Sequence, residues 1–270
     1  MTGLWRALRG AVRAFIDHDG SALAGFIAFS LLLALFPFAI VAVMTASLVI
    51  GADESLSAVQ TLVELLPAEL TGTIEPALLG VISVDRGSVL TVSALIALWS
   101  ASSGVEAFRT AFDRAYGVGE GRGWWRNRLQ SLLIVLLGVV TFIIVGVAVL
   151  LGPLLIGFAE RWLEGTVPGT VDALRYAAGI GAFLAFLFLL HRFLPPHPPP
   201  MLWPGVLVTT LLFTAAATGF SLYLALAPSF ALTYGAMAGV VVMMLFFYLT
   251  GIVIIFGAEL NAGLARRRAG

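Results

Sequence analysis

The chain has 270 residues, of which 60% are hydrophobic and only 11% are Asp, Glu, Lys or Arg, and its mean hydropathy is +1.03. An average soluble domain carries about 25% charged residues, so a soluble core is excluded. All 15 basic residues are Arg and they balance 15 acids, leaving no net charge to draw nucleic acid; with no Cys, disulfides, iron–sulfur sites and thiol nucleophiles are excluded as well.

A bilayer core about 30 Å thick needs about 20 helical residues, and six apolar runs approach or exceed that length. The first, 22–50, follows an N-terminal segment bearing Arg6, Arg9 and Arg13. It is too long for the apolar part of a signal peptide and is expected to remain as an anchor. It contains Pro37, a candidate hinge, because proline removes a backbone hydrogen bond and favours a kink. The segment 51–87 reads as two short amphipathic helices split by Pro67, with Leu56, Val59, Leu62, Val63 and Leu66 on one face of the first. They suit a cap at the outer interface.

The second run, 88–105, should continue as helix to about Tyr116, since Glu106, Arg109 and Asp113 fall at i, i+3 and i+7 with no breaker. Gly117, Gly119, Gly121 and Gly123 then end it. Trp124, Trp125, Arg126 and Arg128 lead into the third run, 129–159, which contains Pro153. The fourth run is 173–190. The sequence from Pro195 to Pro200, with His197 among the prolines, makes a stiff extended linker to the fifth run, 201–227. The sixth is 235–258, before Arg266, Arg267 and Arg268. Small residues at Gly20, Ala24 and Ala28, and at Gly235 and Gly239, would allow close helix approach.

Basic residues in short loops stay cytoplasmic. Arg6, Arg9, Arg13, Arg109, Arg114, Arg122, Arg126, Arg128, Arg192, Arg266, Arg267 and Arg268 fall on one side of the alternating runs, against Arg86, Arg161 and Arg175 on the other. This predicts an all-α, single-domain membrane protein of six spans with both termini cytoplasmic.

Enzymatic signatures are lacking: there is no phosphate-binding loop, HExxH or GxSxG motif. No catalytic residues, metal or cofactor are expected. His18, His191 and His197 lie in loops or at a membrane border and read as interfacial or solvated. The densest polar group is Trp99, Ser100, Ser102 and Ser103 with Glu106 and Arg109, in the inner half of the second run. A pocket opening to the cytoplasm is expected there, with Arg114, Glu259 and Asn261 as further substrate-binding candidates. Glu259 opposes the negative end of its helix dipole and needs a partner, for which Arg109, Arg114, Arg266 and Arg267 are candidates. Arg122, Trp124, Trp125, Arg126 and Arg128 are candidates for gripping anionic lipid head groups, because guanidinium pairs bidentately with phosphate.

Four segments in order carry a family resemblance: DGSALAGFIAFSLLLALFPF (19–38), LWSASSGVEAFRTAFDRAYGV (98–118) with WWRNR (124–128), RFLPP (192–196), and TYGAMAGVVVMMLFFYLTGIVIIFGAELNAGL (233–264). The chain resembles the YihY/BrkB family of bacterial inner-membrane proteins, once mislabelled ribonuclease BN. The resemblance implies six helices, both termini inside, and a transporter-like role that in some members is linked to export of lipopolysaccharide precursors or to serum resistance. The function expected is a transporter or flippase-like protein for an anionic lipid or amphipathic anion. The competing expectations are a gradient-coupled transporter of small ions or metabolites, using Glu106, Glu259 and Arg109, and a non-transporting assembly protein. The partners expected are membrane lipids, with room for a second copy of the chain and no nucleic acid.

Overall fold

The computed structural model describes residues 2–50, 86–118, 123–146, 169–195, 202–226 and 237–269. Their regular structure is helical throughout: α1 (Thr2–Asp17), α2 (Gly20–Ile50), α3 (Arg86–Tyr116), α4 (Trp124–Gly146), α5 (Gly169–Phe193), α6 (Trp203–Leu226) and α7 (Ala238–Ala269). The two amphipathic helices expected within 51–85, Pro153, Arg122 and the linker from Pro196 onward lie outside the described residues.

Helix ends follow local chemistry. Between α1 and α2 the chain turns through 70°, with Asp19 in the left-handed region at φ 56°, a conformation Asp tolerates better than most side chains. Gly117, at φ 66°, ends α3 as expected. Its N–H donates to the Arg114 carbonyl at 3.1 Å and that of Val118 to the Asp113 carbonyl at 2.9 Å, the paired bonds of a glycine C-cap. Pro204 sits in the first turn of α6, where a missing N–H costs nothing. Helix α2 continues through Pro37 without a break.

Four helices are long and apolar enough to cross a membrane: α4 over Trp124–Val145, α5, α6, and α7 over Ala238–Arg267; the bent α1–α2 pair, counted as one, makes five. Six spans are therefore not reached among the described residues. Helix α3 is not among them, although its run 88–105 is free of charge. On α4, Leu129, Leu133, Leu136, Val140 and Ile143 are all exposed. Their spacing of three and four makes one outward stripe, which suits acyl chains as solvent.

The core joins α2, α3 and α7, with Leu23, Ala24 and Ile27 packed among Val105, Phe108, Phe112, Ile254, Ile255 and Ala258, while Leu187, Leu190 and Leu194 of α5 and Ile134 of α4 close its side. Small residues set the helix spacing. A Cβ on Gly251 would lie 3.1 Å from the Ala24 Cα, and one on Gly257 would collide with the Thr209 hydroxyl. Without a hydrophobic force between helices in lipid, such close backbone contact supplies much of the association.

Polar bonds gather the helix ends at one end of the bundle. Arg267 of α7 donates to the Arg6 carbonyl of α1 (2.7 Å), and Arg266 to the Ala115 carbonyl near the end of α3 (2.8 Å). Arg109 of α3 reaches the Asn127 carbonyl in the first turn of α4 (3.2 Å), and the Gln130 amide donates to the Phe193 carbonyl at the end of α5. Asn261 of α7 binds the start of α6. The Arg-rich segments therefore meet.

Candidate functional site

Two carboxylates, Glu106 half-buried and Glu259 buried, organise this Arg-rich end. The first belongs to α3, where Glu106 and Arg109 lie one turn apart, so that Arg109 Nη1 donates to Glu106 Oε1 at 2.6 Å. The Ser131 hydroxyl of α4 donates to the same oxygen at 2.6 Å. Arg109 is buried, and its second amino group reaches the Asn127 carbonyl and, at 3.5 Å, the Gln130 side chain. A buried guanidinium is tolerated when a carboxylate and carbonyls take its protons. An ion pair within α3 is thus tied to α4 at both of its members, by Ser131 and by the Asn127 carbonyl.

The second carboxylate is Glu259 of α7, fully buried. Its Oε1 lies 2.6 Å from Nδ1 of His18, in the turn between α1 and α2, with the ring N–H donating. The other oxygen, Oε2, is buried without a hydrogen bond. Arg114, at the end of α3, donates to the His18 carbonyl and to the Asp19 carboxylate, both at 3.3 Å. The turn that carries His18 is thus fixed from α3 and α7 together. Tyr116 stands nearby with its hydroxyl buried and unpaired. Burial chiefly, and the Glu259 charge next, push its phenol up, while Arg266 works the other way.

Two turns of chemistry follow from Asn261. Its side-chain carbonyl accepts the Gly205 N–H at 2.8 Å and its amide donates to the Leu202 carbonyl at 2.9 Å. Gly205 is required here, because a Cβ would run into the Asn261 side chain and the Gly257 carbonyl. Asn261 therefore caps α6 against α7, accepting an N–H that a helix start leaves unpaired and adding a second bond to the Leu202 carbonyl, which already receives the Val206 N–H.

The outer face differs. Trp99 is 63% exposed and its ring lies under the Arg128 guanidinium, 4.0 Å from the centroid. Trp124 and Trp125, also exposed, meet edge to face at 4.6 Å. Arg126 is exposed beside them. Ser102 is buried and its hydroxyl donates to the Trp99 carbonyl (2.8 Å), as does Ser103 (3.1 Å); Ser100 is half-buried. The serines thus return their hydroxyls to their own helix.

The sequence grouped Trp99, Ser100, Ser102, Glu106, Arg109, Arg114, Glu259 and Asn261 as one pocket. The structure distributes them over four places: Trp99 on the outer face with Arg128, Glu106 with Arg109 between α3 and α4, Glu259 with His18 and Arg114 at the α1–α2 turn, and Asn261 at the start of α6. Arg109 and Arg114 are not partners of Glu259, since each is held elsewhere. The expectation of interfacial histidines also needs correction. His191 is fully buried, its Nδ1 bonded to the Leu187 carbonyl at 2.9 Å and its ring edge-on to Phe112. His18, read as solvated, is the partner the sequence missed. The signal for it was the positive-inside pattern, which places the α1–α2 turn and the end of α7 on one side.

A cavity of about 280 Å³ opens between α1 and the end of α7, lined by Ala7, Gly10, Gly263, Arg266 and Arg267. Among the described residues, no acidic residue lines it.

The sequence pattern of a family described as virulence factor BrkB matches residues 11–270. A Bacillus subtilis (strain 168) protein, YfkH, named as ribonuclease-like, is 30% identical over 261 residues, covering 93% of this chain and 92% of its own length. A UPF0761 membrane protein of Alteromonas mediterranea is 33% identical over 141 residues, 47% of each chain, and one of Yersinia pestis (strain Pestoides F) is 29% identical over 158 residues, 54% of this chain and 52% of its own. This chain thus aligns with about half the length of those two relatives. No solved structure matches.

Proposed function

This chain belongs to the virulence factor BrkB family of membrane proteins, and we propose from that premise that it handles an anionic lipid or amphipathic anion in the bacterial inner membrane, as a transporter or flippase-like protein without enzymatic activity. In this reading it crosses the membrane six times, with α3 as a Ser-rich span and both termini in the cytoplasm. The observation that carries it is the outer face of α3 and α4. There an exposed Trp99 carries Arg128 over its ring, with Trp124, Trp125 and Arg126 alongside. An amphipathic ring holding a guanidinium at the headgroup level presents a cation that can pair with a lipid phosphate as it passes. The first turn of α4 thus becomes the entry point, and the exposed stripe of α4 the path for acyl chains.

The test is lipid movement in vesicles. Purified protein in phosphatidylcholine liposomes should accelerate the exchange of a fluorescent phosphatidylglycerol between leaflets more than that of the phosphatidylcholine analogue. Arg128→Gln should lower the phosphatidylglycerol rate about tenfold, the loss of one charge-assisted contact worth about 1.4 kcal/mol. Equal, slow exchange of both lipids, untouched by the substitution, would sink the reading.

A second reading has its own observation. Glu259 is buried with one oxygen on His18 and the other unpaired, and ionisable groups at membrane depth mark ion pathways by default. A small-ion or metabolite transporter coupled through Glu259 would show flux that depends on a proton or sodium gradient and stops in Glu259→Gln.

A further inference from the structure

Helix α1 has two distinct faces. Ala7 and Ala11 are buried against Leu260 of α7, with Leu264 packed beside them. Trp5, Val12 and Ile16 form an exposed ridge, 57%, 48% and 67% accessible. At 100° per residue these three lie within about 40° of one another around the helix. Arg6, Arg9 and Arg13 follow on the adjoining side, and the Arg9 guanidinium lies 4.9 Å over the Trp5 ring. An apolar ridge flanked by arginines, on a helix turned 70° from an apolar one, is built to lie in the plane of the headgroups. The cavity between α1 and α7 then opens at headgroup depth.

That cavity has the chemistry of an anion site. Its polar lining is Arg266 and Arg267, oriented by bonds to the backbone carbonyls of Ala115 and Arg6. Its walls are kept small: a Cβ on Gly263 would meet nothing within 4 Å, and one on Gly10 would stand 3.6 Å from Arg267 Nη2. At about 30 Å³ per water-sized group, 280 Å³ holds a phosphate together with its polar substituent. Two adjacent guanidiniums, with no carboxylate in the lining among the described residues, match a phosphate's oxygens. We propose that the cleft between α1 and the C-terminal part of α7 binds the phosphate headgroup of an anionic phospholipid, held by Arg266 and Arg267 with Gly10 and Gly263 leaving it room. This contact is separate from the Trp99–Arg128 face and does not require that the protein transport anything.

The experiment is native mass spectrometry of the full-length protein in detergent, titrated with short-chain phosphatidylglycerol, short-chain phosphatidylcholine and glycerol 1-phosphate. Phosphatidylglycerol should bind at least tenfold more tightly than either of the others. Gly263→Leu, which fills open space in the cleft and leaves both arginine bonds in place, should lower that affinity about tenfold, and the double variant Arg266→Gln/Arg267→Gln should lower it further. Should the double variant fail to fold, Gly263→Leu decides. Full affinity in Gly263→Leu overturns the site. Glycerol 1-phosphate binding as tightly as the lipid overturns the lipid source and leaves a site for free phosphate compounds. Loss of binding here with lipid exchange intact would separate this site from the transport reading; loss of exchange with binding intact would sink only the transport reading.

Discussion

Glu106 and Glu259 are the same side chain in two different predicaments. Glu106 receives Arg109 from one turn away on its own helix and Ser131 from α4, both at 2.6 Å. Glu259 receives a single bond, from His18, 241 residues away in sequence, and keeps one oxygen unpaired. The first is a finished clamp, in which a full positive charge and a hydroxyl meet the carboxylate. The second is half-satisfied, and a half-satisfied buried polar group costs stability unless it serves something else. The α3–α4 node is thus structural, and the node between the α1–α2 turn and α7 is poised.

Breaking the clamp should have the largest effect. Glu106→Ala leaves Arg109 buried without its counter-charge, which for a fully buried pair costs about 3–5 kcal/mol. Glu106 is one-third exposed, so water relieves part of that, and a loss of about 2–3 kcal/mol is expected in reversible unfolding of the detergent-solubilised protein. If stability is unchanged, the α3–α4 pair is not a clamp. At the other node His18→Ala should cost less, about 1–2 kcal/mol, since it removes one hydrogen bond and Glu259 can take up a proton in place of its partner. Glu259→Gln should cost under about 1 kcal/mol, because the amide keeps a bond to His18 and buries no charge. Stability in Glu259→Gln below that of Glu106→Ala would reverse the assignment.

The same contrast explains what the sequence made legible. Glu106 and Arg109 were visible because an i, i+3 pair needs no knowledge of the tertiary structure. Ala24 and Ala28 were visible as a small-residue spacing, yet Gly251, which Ala24 touches, was not, since nothing local ties α2 to α7. Hydropathy located the long apolar helices and the arginines their common end. Neither could tell that His18 lies under Glu259, because a histidine in a turn between two helices looks solvated until the turn is folded onto α7. Trp99 and Arg109 were read into one pocket on proximity in sequence. Ten residues of helix rotate them about 80° apart, enough to put Trp99 on the outer face and Arg109 against α4. The serines of α3 bond to their own backbone and so cross a membrane at less cost than free hydroxyls would.

The smallest effect should come from Arg114, and it sharpens the comparison by separating charge from position. Arg114 and Asp19 are both well exposed, at 45% and 73%, and 3.3 Å apart, so their attraction is screened and should contribute about 0–0.5 kcal/mol. The bond from Arg114 to the His18 carbonyl is another matter, because it holds the turn from which His18 reaches Glu259. Arg114→Ala should therefore leave thermal stability within about 0.5 kcal/mol of the parent protein. It should nonetheless loosen the turn, seen as broadened distances between spin labels placed at Ala14 and Ala265. Asp19→Asn removes the ion pair while keeping the carbonyl bond and a side chain suited to the left-handed turn, and should leave those distances at the parent value. If both substitutions broaden them equally, the ion pair and not the backbone bond fixes the turn, and the poise of Glu259 then depends on surface charge and salt.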